Sequence, residues 1–145
     1  MLICVFLSFN VFKASAQDER ITVLNKGIIG KPFIFDKSKG KDHDKTTLKY
    51  LGKLTTKPGV TYKIMSSCWI WGLSQRTTSR ILVYTAQNKY IGNYYMSTTD
   101  VLPVKIARNQ LIFKDVNGVS DSINFNNGVP KYIIVNGDDA SFDRE

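Results

Sequence analysis

Apolar and polar residues alternate with a period of two along most of this chain. Val60-Thr61-Tyr62-Lys63-Ile64-Met65 alternates, and the pattern resumes through Cys68-Trp69-Ile70-Trp71. An extended backbone sets Val60, Tyr62, Ile64, Cys68 and Ile70 on one side, and Thr61, Lys63, Met65, Trp69 and Trp71 on the other. Ser66-Ser67 marks a bend in this strand. Lys57-Pro58-Gly59-Val60 is the turn before it: Pro fixes φ at the second position, and Gly accepts the positive φ that a type II turn requires at the third.

Residues 80–85 and 90–96 are β-rich runs around the polar break Ala86-Gln87-Asn88-Lys89, the pattern of a hairpin. Regular alternation would place Tyr90 and Tyr94 on one face and Tyr95 on the other. Residues 101–106 and 111–114 predict a second hairpin, with Pro103 confined to an edge or a strand start. Shorter strands are expected at 21–24, 32–35, 122–125 and 131–135, separated by turns such as Asp115-Val116-Asn117-Gly118 and Asn126-Asn127-Gly128. The acidic, turn-rich tail is expected to fray from about residue 137. Over residues 46–54, Leu48, Leu51 and Leu54 are spaced by three, which fits a short helix capped by Asp44 or Thr46; a strand fits the segment nearly as well. The predicted class is mainly β: one antiparallel sandwich or barrel-like domain over residues 17–145, with one short helix near 46–54.

The first sixteen residues read as an address. An apolar run from Leu2 to Phe9 leads to Ala14-Ser15-Ala16, the form of a secretory h-region and cleavage site, although no Lys or Arg precedes the run. The run is too short for a membrane span, which needs about 20 apolar residues. Once the leader is removed Cys68 is the remaining cysteine, so no intramolecular disulfide can form, and the sequence holds no N-x-[ST] acceptor. These features predict a secreted or periplasmic bacterial protein that does not span the membrane.

The net charge of +8 is unevenly spread. Residues 20–63 carry eleven basic groups against three acids. Lys37, Lys39, Lys41, Lys45, Lys49 and Lys53 define a predicted basic face, suited to an anionic envelope component or an acidic protein. The bias toward lysine over arginine, together with secretion, argues against nucleic acid.

Catalytic chemistry has little to build from. Asp42-His43-Asp44 has metal-ligand side chains, but zinc needs three or four ligands and no second histidine exists. Asp115-Val116-Asn117-Gly118 fails as a calcium loop, because Gly falls at position four and no Glu closes it. Cys68 lies on an apolar face, and His43 is the sole histidine that could activate it. No metal, cofactor or catalytic residue is predicted. The aromatics are the richer signal: Trp69 and Trp71 share one side of a strand, with one of them expected in the core, and Arg76 and Arg80 follow closely. With Tyr90 and Tyr94 they form the predicted binding set. The expected function is non-catalytic binding, of the inhibitor or immunity type. A glycan-binding module using exposed Trp and Tyr is the alternative, and a hydrolase with unlocated carboxylates is the third reading.

Overall fold

The computed structural model describes residues 16–145. The predicted leader, 1–16, lies outside the described residues apart from Ala16. Residues 16–26 form a helix, α1. The strands follow as β1 (Pro32–Asp36), β2 (His43–Thr55), β3 (Thr61–Gly72), β4 (Arg76–Thr85), β5 (Tyr90–Met96), β6 (Lys105–Ala107), β7 (Gln110–Ile112), β8 (Ser122–Ile123), β9 (Tyr132–Val135) and β10 (Asp138–Arg144). A single 3₁₀ turn covers Thr99–Val101. The fold is mainly β. One seven-stranded antiparallel sheet runs β1-β2-β3-β4-β5-β10-β9, and β6-β7-β8 form a small second sheet. The large sheet ends at β1 and β9 and does not close into a barrel.

Both faces of the large sheet are covered. On one lies α1, whose Val23 and Leu24 join Leu48, Tyr50, Met65, Leu82 and Tyr84 in a buried cluster. On the other, Leu51, Leu54, Ile64, Ile81, Val83 and Tyr94 pack with Leu111 of β7 and with Phe113 and Phe125. The Arg108-Asn109 turn, with both residues at positive φ, joins β6 to β7. The Asn109 side chain accepts from Thr55 N and donates to Thr55 O, both at 2.8 Å, and so ties the small sheet to the end of β2.

Four expectations are corrected. Residues 46–54 are strand: a bulge between Tyr50 and Gly52 breaks the alternation of β2 at Leu51. Leu48 then faces α1, while Leu51 and Leu54 both face the small sheet. The spacing of three records a bulge, not a helical turn. Residues 21–24 are helix despite their β-branched side chains. Asp18 and Glu19 are acidic residues early in the described helix, Lys26 is basic in its last turn, and the Gly27 N–H bonds to the carbonyls of Val23 (3.3 Å) and Leu24 (3.1 Å) with φ at 62°. The tail does not fray, since β10 lies inside the sheet between β5 and β9. Asn136 (φ 50°) and Gly137 (φ 83°) supply the two-residue turn that folds β10 back, pairing Asp138 with Val135. Ser66-Ser67 does not bend β3, whose ladder to β2 and β4 continues through both residues.

A second bulge corrects the tyrosine pattern. Val83 pairs with Gly92 and Tyr84 with Tyr90, leaving Ile91 as the extra residue. Tyr90 therefore faces α1, while Tyr94 faces the other core and is fully buried. At the same place β10 crosses Gly92 so closely that a Cβ would overlap the Asp143 carbonyl oxygen and sit 2.6 Å from Phe142 Cζ. Gly92→Ala is expected to destabilise the fold by about 2–3 kcal/mol in urea denaturation, as overpacking does when backbone must move.

Two buried phenols separate hydrogen bonding from burial. The Tyr94 hydroxyl donates to Pro130 O at 2.5 Å, whereas the buried Tyr84 hydroxyl lies near the Arg20 guanidinium but makes no well-formed hydrogen bond among the described residues. Burial raises the pKa of both. The unfolded phenols ionise near pH 10 while the folded ones keep their protons, so their contribution to stability is constant below about pH 10 and falls above it. Tyr94→Phe is expected to cost about 1 kcal/mol at neutral pH, and Tyr84→Phe to be neutral or stabilising. Each variant should flatten the alkaline loss, read as urea midpoints on either side of pH 10.

Candidate functional site

β2, β3 and β4 are 13, 12 and 10 residues long, and on the helix side they run beyond the layer that covers them. That layer, built on Val23 and Leu24, reaches Met65 on β3. The next residues on the same face are Ser67, Trp69 and Trp71. Beside them opens a cleft of about 280 Å³, walled by Ala16, Glu19 and Arg20 of α1 and by Phe35 of β1. Strand pairing orders the side chains of this face in rows. Leu48, Ser67 and Arg80 lie side by side, then Thr46, Trp69 and Thr78, then Asp44, Trp71 and Arg76.

The two indoles stack with ring centroids 5.4 Å apart and planes 26° from parallel. Their N–H groups reach diagonally in opposite directions. Trp69 Nε1 donates to Asp44 Oδ1 and Trp71 Nε1 donates to Thr78 Oγ1, both at 2.9 Å. The Arg76 guanidinium lies 5.6 Å from the Trp71 ring centre, within cation–π range. Trp69 lines the cleft and Trp71 does not, and Trp71 covers one face of Trp69. Neither tryptophan belongs to a buried cluster, which corrects the expectation that one fills the core.

Asp44 is fixed by the β1–β2 turn. Its carbonyl accepts from Lys37 N at 2.7 Å, and its own N–H donates to Ser38 Oγ at 3.0 Å. The Ser38 N–H in turn donates to Asp36 Oδ1 at 3.0 Å, and the hydrogen bonds from Ser38 hold the Asp36 carboxyl below its usual range. At the cleft rim Glu19 pairs with Lys37 at 2.5 Å. Glu19 is thus ion-paired, and Asp44 uses one carboxylate oxygen on the indole. Arg80, which lines the cleft, has no hydrogen-bond or ion-pair partner among the described residues.

The structure thus brings Trp69, Trp71, Arg76 and Arg80 together and separates the other predicted residues from them. Tyr94 offers no surface. Tyr90 is half-buried against α1, its ring 5.4 Å from that of Tyr84 and beneath Arg20. The six lysines do not form one face. Lys37 is at the cleft rim, Lys39 and Lys41 are in the β1–β2 turn, and Lys53 follows the bulge. Lys45 and Lys49 project from the opposite side of β2, where Lys49 lines a second hollow with Cys68 and Lys114. His43 also lies opposite Asp44 by alternation, so the Asp-His-Asp triplet does not converge, and among the described residues no group of three or more potential metal ligands exists. Cys68 pairs with Thr47, four residues and about 13 Å along β2 from His43. No described helix is long and apolar enough to cross a membrane.

Asp44, Ser67 and Arg20 were not legible as site residues in the sequence. Asp44 and Thr78 carried a usable signal: each is one strand over from a tryptophan once the β2-β3-β4 meander is aligned. Thr78→Val should cost less than about 1 kcal/mol at this half-exposed position. It should also raise acrylamide quenching of tryptophan emission, by freeing the Trp71 indole. Comparison with protein-family models, curated proteins and solved structures finds no match.

Proposed function

We propose that this is a non-catalytic bacterial binding protein, secreted or periplasmic, which holds an anionic component of the cell envelope at the Trp69 cleft. The observation that carries this reading is the charge left uncommitted at the site. With Glu19 paired to Lys37, the lining keeps Arg20 and Arg80 against the one remaining carboxylate, Asp44, and Arg80 stands beside an aromatic wall with no hydrogen-bond or ion-pair partner among the described residues. Arginine next to an apolar ring suits an anion with a flat apolar portion, because a guanidinium is weakly hydrated and presents a fork of donors. A cleft of about 280 Å³ takes one ring-sized group. A protein partner covers a surface of about 800 Å², so an envelope component is favoured over an acidic protein.

Dextran sulfate, as a soluble polyanion, is expected to change tryptophan emission on titration. Its affinity should fall steeply between low and physiological salt. The double variant Arg76→Gln/Arg80→Gln should bind about tenfold more weakly, the scale of one lost charge-assisted contact. Affinity indifferent both to salt and to the two arginines would refute the proposal.

A further inference from the structure

The cleft contains a feature that general polyanion binding does not require. Ser67 is 5% exposed and lines the cleft floor, yet its hydroxyl takes part in no hydrogen bond among the described residues. A hydroxyl that lines a cleft floor and is engaged by no protein group is open to water or to a ligand there. Its row neighbour Arg80 is likewise unpartnered. In the next row, Thr46 also has no hydrogen-bond partner for its hydroxyl among the described residues. Thr78 Oγ1 accepts from Trp71, so its own proton remains to be donated. Asp44 holds the Trp69 indole with Oδ1 and keeps Oδ2 as an acceptor.

We infer that the cleft is a subsite for a carboxylated pyranose, one acidic sugar unit of an envelope polysaccharide. This rests on the anionic-ligand reading above and deepens it. Trp69, which lines the cleft, receives the C–H face of the ring, whose partial positive charge suits the indole quadrupole. Ser67, Thr46 and Thr78 and the second oxygen of Asp44 exchange hydrogen bonds with the ring hydroxyls. Arg80 takes the carboxylate, in the bidentate geometry that guanidinium and carboxylate share. The ring hydroxyls supply the partner that Ser67 lacks. A sulfated or phosphorylated chain could satisfy the arginines and would leave Ser67 and Asp44 unused.

The test is a set of tryptophan-fluorescence titrations with glucuronic acid, glucose, a hexuronate tetrasaccharide and dextran sulfate, on the parent protein and on Arg80→Gln and Ser67→Ala. Urea midpoints establish that both variants fold. The expected order is tetrasaccharide tighter than glucuronic acid, with glucose at least about tenfold weaker than glucuronic acid, the cost of one missing charge-assisted pair. Arg80→Gln should abolish the preference for acid over neutral sugar. Ser67→Ala should weaken both sugars and leave dextran sulfate unchanged. Glucuronic acid binding as well as the tetrasaccharide would overturn the polysaccharide source and point to the free sugar acid. Dextran sulfate binding while every carboxylated sugar fails would overturn this inference and leave the anionic reading standing. Failure of every anionic probe would overturn both.

Discussion

A sheet buried on both faces must present two different sets of apolar side chains from one backbone, and the period of two decides which residue goes where. In this protein the period is broken twice, at Leu51 in β2 and at Ile91 in β5. Each bulge exchanges the faces for the rest of its strand. Because of the first, Leu48 and Tyr50 serve the helix side while Leu51 and Leu54 serve the other. Without it Leu54 would fall on the face of Tyr50, and the core against Leu111, Phe113 and Phe125 would lose a fully buried leucine, worth about 2–3 kcal/mol by area alone. The second bulge splits Tyr90 from Tyr94 in the same way. It coincides with Gly92, where a side chain of any kind would strike β10. The pairing of β10 into the sheet and the division of β5 between two cores are thus one constraint, met at one glycine.

The site follows from where those layers stop. β2, β3 and β4 outrun α1, and their ends on that side must be stable without a covering layer. The two tryptophans achieve this by covering each other. Stacking removes apolar area from water, and Asp44 and Thr78 satisfy both indole N–H groups within the sheet. The rings are therefore rigid and only partly exposed, so a ligand meeting Trp69 finds a surface whose ordering entropy is already spent. The arrangement serves the fold and the cleft together: the carboxylate that orients the indole is also the acceptor nearest the ring face.

Most of the strands were legible because alternation is a local property. β3, the β4–β5 hairpin, the β6–β7 pair and β9 all follow from period and turn residues. Where the reading failed, the deciding information was not local. Leu48, Leu51 and Leu54 look helical unless the bulge is known, and the bulge is fixed by the pairing of Tyr50 with Met65 and of Gly52 with Ile64 across the sheet. Residues 21–24 have β-branched side chains, yet the burial of adjacent Val23 and Leu24 against a sheet face, with Gly27 ending the helix, outweighs that propensity. The tail's acidic composition suggested solvent, while its Asn136-Gly137 turn already specified a hairpin. Of the binding set, Trp69, Trp71, Arg76 and Arg80 were found because they are close in sequence as well as in space. Asp44 and Ser67 could be recognised only after strand register was known.

Net charge shows the same limit from another side. Ten lysines crowd residues 20–63, and sequence position suggests one basic surface. Alternation along β2 sends Lys45 and Lys49 to one side and Asp44 to the other, and the bulge then returns Lys53 toward the helix side. The lysines end up distributed around the domain, where they raise its overall potential and attract anions from any direction without choosing among them. Selection needs charge fixed against a shaped surface. Here that falls to Arg80, set beside a nearly buried hydroxyl and an oriented indole. A protein with this division attracts polyanions broadly and discriminates only at the cleft, so its specificity depends on the geometry of one row of the sheet and not on the size of its charge.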